Sequence, residues 1–146
     1  MATPMQDPGE KSLDRLLATL TTSLHPATFV FAALDTTKTA TTLPPLAEVQ
    51  LLFREREAVT VIVTKEYAEA NALDYLFPSR MITLEVTSSL EAVGFMAVVA
   101  TRLATLGMGV NPVSGFYHDH LFVPEGREEE AMRELERLAE DKRRGL

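Results

Sequence analysis

An α+β fold of two tandem units is predicted by three features of the sequence. Runs with the two-residue alternation of half-buried strands are interleaved with runs of helical period. These runs follow nearly the same order in residues 27–73 as in residues 81–140, with a loop standing for the first helix in the earlier half. Each half also carries a charged hairpin between two strand-like runs, Arg54-Glu55-Arg56-Glu57 in the first and His118-Asp119-His120 in the second. The shared order is a βαββα repeat, most of a ferredoxin-like split βαβ unit with an antiparallel sheet covered by helices on one face.

In chain order, residues 1–11 read as a disordered leader containing Pro4, Pro8 and Gly9. Ser12 caps a short helix whose Leu13, Leu16, Leu17 and Leu20 share one face, and His25-Pro26 marks its end. The apolar run 27–34 predicts a strand covered on both faces, and the threonine-rich run 35–42 a loop. Strands follow at 47–55 and 59–63, the latter (Val-Thr-Val-Ile-Val) the most β-prone stretch of the chain. A short helix at 65–73 leads to Phe77-Pro78-Ser79, the best unit boundary, so that the units span 12–78 and 79–141, with a frayed tail at 142–146.

The second unit opens with a strand at 81–86, where Ile82, Leu84 and Val86 alternate with Thr83 and Glu85. Ser88-Ser89-Leu90-Glu91 then fits the S-x-x-E capping box, predicting a helix from Ser88 with Ala92, Phe95, Met96, Val99, Leu103 and Leu106 on its apolar face and Gly107 at its stop. Two strands, 110–117 and 121–123, flank the second hairpin, and Pro112 places the first of them at a sheet edge. A last helix at 126–140 has acidic residues in its first turns and Lys142-Arg143-Arg144 at its end, both favourable to the helix dipole.

Composition narrows the function classes. The chain has 146 residues, no cysteine and a net charge of −7. Disulfides and cysteine–metal sites are excluded, and a cytoplasmic protein is expected. No basic stripe with interleaved aromatics is present, so nucleic acid is not an expected partner. No apolar run approaches the ~18 residues of a spanning helix, so no membrane is expected either. P-loop, G-x-G-x-x-G, G-x-S-x-G and H-E-x-x-H motifs are all missing, which argues against an enzyme, and no cofactor is implied.

Residues 82–94 and 115–124, with their strings S-S-L-E-A-V-G and H-D-H-L-F-V-P, resemble the small tandem ACT-domain proteins of bacteria and fungi. Phe53, Arg54, Glu55 and Glu57 resemble the first-half motif of that family, and the likeness spans about residues 29–138. Ala58 stands where the family usually has glycine, and Thr87 where it usually has histidine. The resemblance implies two ferredoxin-like ACT units, regulatory binding of a small molecule (most often an amino acid) and side-by-side pairing of units into oligomers. It places the ligand at the first strand-to-helix turn of a unit, here residues 87–94. ACT units of the CASTOR type, the arginine sensors of animals, are related, and their ligand also sits between such a turn and a charged hairpin.

The candidate ligand-binding residues are therefore Ser88, Ser89, Leu90, Glu91, Ala92, Val93 and Gly94 of the turn, Tyr117, His118, Asp119 and His120 of the hairpin, and Asn111, Arg54 and Glu57. Each has a plainer reading. The turn is a helix cap, or its free amides bind a carboxylate. Asp119 is a turn residue, or it receives the ammonium or guanidinium group of a bound amino acid. His118 and His120 share a side of an extended segment and can bite a metal, with no third ligand evident. Arg54 and Glu57 form a solvated hairpin, or Arg54 holds a carboxylate. Asn111 favours a turn near Pro112, or touches ligand. A ligand-binding regulatory protein is the first expectation; an adaptor whose units only assemble, and a metal-dependent enzyme using the two histidines, are the alternatives.

Overall fold

The computed structural model describes residues 1–39 and 41–146; residue 40, within the expected 35–42 loop, lies outside the described residues. The elements are α1 (Leu13–Ala18), β1 (Thr22–Leu34), a single 3-10 turn (Leu46–Glu48), β2 (Val49–Arg54), β3 (Val59–Thr64), α2 (Lys65–Ala70), β4 (Leu76–Leu84), α3 (Phe95–Ala104), β5 (Asn111–Ser114), β6 (Asp119–Pro124) and α4 (Glu128–Arg143). They divide into two compact units, Pro26–Arg80 and a second made of Met1–His25 with Met81–Leu146. Two strands, β1 and β4, run from one unit into the other.

In the Pro26–Arg80 unit the strand order is β2-β3-β1. Antiparallel register pairs Phe29 with Thr64 and Leu34 with Val59, and Arg54 with Val59 on the other side of β3. The charged hairpin closes through the Glu55 amide, which donates to the Ala58 carbonyl at 3.0 Å. Among the described residues only Ala72 and Phe77 are non-glycine residues at positive φ, so Ala58 needs no glycine at this turn. Val30, Ala32, Leu34, Val61, Val63 and Ala68 form the buried cluster. Alternate residues of the β-branched β3 run reach it, the packing that such a run favours.

The other unit has the strand order β4-β6-β5. β5 is the end strand, with Pro112 facing Leu121, as a residue without an amide hydrogen requires. Leu16 and Leu17 of α1, Phe95, Val99 and Leu103 of α3, and Ala131, Leu135 and Leu138 of α4 close over Ile82, Leu84, Leu121 and Val123. Arg102 ties α3 to α4 through Glu134 at 3.3 Å and Asp141 at 3.1 Å. The Ser12 hydroxyl accepts from the Arg15 amide at 3.3 Å, so the expected cap of α1 is present.

Several expected boundaries shift. His25-Pro26 does not end a helix: α1 stops at Ala18, and both residues lie in β1, ahead of its first pairing with β3 at Phe29. The strand expected from 81 starts at Leu76, so Phe77-Pro78-Ser79 lies within β4.

The largest correction concerns the capping box. The helix begins at Phe95, not after Ser88. Gly94 is its N-cap with φ of +90°, outside the right-handed helical region, so the 88–94 segment cannot join the helix. The Ser89 hydroxyl accepts from the Glu91 amide at 3.0 Å, and the Ser89 carbonyl from the Ala92 amide at 3.0 Å, closing a separate turn. Glu91 pairs with Lys11 at 2.9 Å instead of reaching back to the Ser88 amide. An alanine Cβ at Gly94 would have ordinary contact, 3.5 Å from Leu13, so any cost of Gly94→Ala is conformational. We expect Gly94→Ala to lower stability by about 1–2 kcal/mol in chemical denaturation.

Candidate ligand site

Beneath the 88–94 turn lies a cavity of about 100 Å³. Ser88, Ser89, Ser114 and Asp119 supply its polar lining, and Leu90, Ala92, Phe95 and Met96 the rest. Its walls come from the turn that follows β4, from the start of α3, and from the ends of β5 and β6 that flank their hairpin. The sequence thus brings together a serine turn and an acidic hairpin because β4 and β6 are neighbouring strands.

Asp119 is 7% exposed, and its Oδ2 accepts from the Ser88 hydroxyl at 2.9 Å. Among the described residues its Oδ1 has no hydrogen-bond partner, and no lysine or arginine pairs with it. A carboxylate held by a single hydroxyl donor keeps acceptor capacity for a further donor. Ser88 and Ser89 are also buried. The Ser89 hydroxyl donates to the Asp7 carboxylate, and its amide to the Glu10 carbonyl at 3.0 Å.

The histidines stand apart from this chemistry. The His118 Nδ1 contacts the Val86 carbonyl oxygen at 3.1 Å, and the His120 Nδ1 contacts the Thr83 hydroxyl at 2.9 Å. His118 precedes β6 and His120 lies in it, and their rings are perpendicular with centroids 6.5 Å apart. Among the described residues no group of three or more metal-ligating side chains is assembled. The Ser88 hydroxyl meets Asp119 directly, with no imidazole between them, which is not the relay order of a catalytic triad.

Burial, followed by the neighbouring His118, lowers the pKa of His120 from its ordinary 6.5. The unfolded chain therefore binds the proton first as pH falls, so this group withdraws stability below pH 6.5, until the pH passes the lowered folded value. The melting temperature should drop between pH 7.5 and 5.5, and His120→Gln should flatten that dependence.

The remaining expected residues are placed as follows. Leu90 lines the cavity but is largely exposed, and Glu91 and Val93 face solvent. Asn111 is exposed at the start of β5, opposite Phe122, and does not line the cavity. Tyr117 is exposed and stacks edge-on against Phe116, with centroids 5.0 Å apart. Arg54 and Glu57 belong to the Pro26–Arg80 unit; both are exposed, and Glu57 pairs with Arg56 at 3.3 Å. Sequence reasoning missed Asp7, Glu10 and Ser114. A D-P-G-E run carries only a turn signal, and a contact between residues 7 and 89 has no local signature.

Fold and site together define a tandem protein of ferredoxin-like α+β units with a cavity at a strand-to-helix turn. Two family models described as ACT domain match the chain, over residues 8–80 and 76–137, and the chain belongs to the ACT-domain family. It is 33% identical to a protein of unknown function from Vibrio cholerae, described as a possible transport protein; the match covers 88% of this chain and 97% of that one, with a TM-score of 0.73. A protein from Agrobacterium tumefaciens is 17% identical over 82% of this chain and 89% of its own, with a TM-score of 0.67. The regulatory subunit of aspartate kinase from Thermus flavus shares the fold at 10% identity, over 82% and 95% of the two chains, with a TM-score of 0.56. No curated protein matches. Regulatory small-molecule binding is the general role that tandem ACT domains support. Among the described residues no helix is long and apolar enough to cross a membrane.

Proposed function

We propose that the protein is a non-catalytic regulatory sensor that binds a small amino acid under the 88–94 turn. The observation that carries this reading is the largely buried Asp119 carboxylate, which lines the cavity and has no cationic partner among the described residues. In this reading Asp119 receives the ligand ammonium. The ligand carboxylate takes Ser89 and the first amides of α3, at Phe95 and Met96, which have no partner within the helix and lie at its positive end. A site for both charges of a zwitterion selects against amines and simple acids.

The volume also restricts the ligand. About 100 Å³ is well below the ~300–1,000 Å³ of sites for drug-sized molecules, so a glycine- or alanine-sized amino acid fits and arginine does not. In this reading the ligand is not the arginine of CASTOR-type sensors. Thermal-shift screening of the twenty amino acids tests the reading. We expect stabilisation by one or a few small ones, and uniform indifference would contradict it.

A second reading, an adaptor acting by assembly alone, is favoured by Leu52 and Phe53 on β2. They are 41% and 63% exposed, on a strand whose one neighbour in its unit is β3. It predicts concentration-dependent oligomers in sedimentation that no amino acid alters.

A further inference from the structure

We infer that Asp7–Glu10 is a strap built into the chain that holds the Ser89 donors of this site and is displaced from them by an incoming carboxylate. The inference rests on the reading of the 88–94 turn as a ligand site.

The strap takes both donors that Ser89 offers. The Ser89 hydroxyl donates to the Asp7 Oδ2, and the Ser89 amide donates to the Glu10 carbonyl at 3.0 Å. The Glu10 amide returns a bond to the Thr87 carbonyl at 2.8 Å, making a parallel bridge between Glu10 and Ser88. The Gly9 amide donates to the Asp7 Oδ1 at 2.8 Å and so aims the carboxylate. A carboxylate is therefore already seated on the serine that the ligand's carboxylate would use. The Ser89 and Gly9 bonds hold the Asp7 carboxyl below its ordinary value of 3.8, so it remains anionic at neutral pH.

Close approach is written into the sequence at Gly9. A Cβ there would stand 2.7 Å from the Ser88 carbonyl carbon and closer still to the Ser89 amide nitrogen and Cα. Only glycine lets the strap lie this near the turn.

The strap is also lightly held. Pro8 and the residues before it are exposed except for partly buried contacts of the bonds above, and no apolar side chain of 1–10 joins the core. Its flanking ion pairs, Lys11–Glu91 and Arg15–Glu10, are exposed and contribute little. A segment held by a few polar contacts opens at low cost, unlike a core strand. Pro8, Gly9 and Glu10 moreover line a second cavity, of about 490 Å³, against Glu85, Val86 and Thr87.

A strap that closes the site most of the time lowers apparent affinity by the open fraction, so releasing it should tighten binding about ten-fold for a 10:1 closed-to-open ratio. The test uses two strap variants, Asp7→Ala and Gly9→Ala, the full chain, and two probes followed by amide chemical shifts: acetate, a bare carboxylate, and glycine, which adds the ammonium. We expect faster hydrogen exchange at the Ser89 amide and tighter binding of both probes in both variants. Unchanged or weaker binding of acetate and glycine in the variants would overturn the strap. Acetate gaining while glycine binds no tighter than acetate would leave the strap standing and overturn the amino-acid reading. No binding of either probe to any variant would overturn both.

Discussion

Replacing Leu135 with alanine is expected to cost about 2–5 kcal/mol in chemical denaturation. Leu135 is fully buried on α4, in the cluster that joins Leu16 and Leu17 of α1, Val99 and Leu103 of α3, and Leu121 and Val123 of β6. Truncation removes transfer energy and leaves a void that three helices and a strand must share. These elements are fixed from several directions, so collapse into the void is limited and the upper half of the range is expected. The same cluster anchors Phe95 at the start of α3 and Val86 before the turn. Loss of packing here should therefore weaken ligand binding as well, although Leu135 does not line the cavity.

Asp119→Asn should reduce amino-acid affinity by about 10- to 100-fold, the loss expected when a charge-assisted hydrogen bond becomes a neutral one of the same shape. Asparagine preserves the outline of the side chain, and its carbonyl oxygen still accepts from Ser88. Folding is thereby separated from binding. With no ligand bound, the Ser88 bond is kept, so stability should change by less than about 1 kcal/mol. Calorimetric titration of wild type and variant, alongside melting without ligand, measures both effects.

The fold was legible wherever local pattern and tertiary demand agreed. β3 could be read because Val-Thr-Val-Ile-Val is a β-branched run. α4 could be read because Ala131, Leu135, Leu138 and Ala139 recur at helical spacing between acidic and basic ends. Pro112 marked an edge strand for a reason of hydrogen bonding alone. Of the candidate site, Ser88 and Asp119 are both legible in the sequence, and the Ser88 hydroxyl donates to Asp119 at 2.9 Å.

Two features were hidden. Ser88 to Glu91 carries the spacing of a capping box, but Gly94 at φ +90° interrupts the backbone, and the spacing alone does not reveal a positive φ six residues on. The Asp7–Glu10 segment has the composition of a disordered leader, and its partner lies some eighty residues away in sequence. Contacts of that range leave no periodic trace. Ala58 and Thr87 carry a further lesson. The Glu55–Ala58 hairpin closes without glycine, and Thr87 takes part through its carbonyl, a group every residue has.

A crystal structure of the protein with the amino acid that most raises its melting temperature tests the central claim most directly. The predicted result is an ammonium within about 3 Å of the Asp119 Oδ1 and a carboxylate at Ser89 and the first amides of α3. An amino acid bound elsewhere, with the cavity beneath 88–94 unchanged, would contradict it.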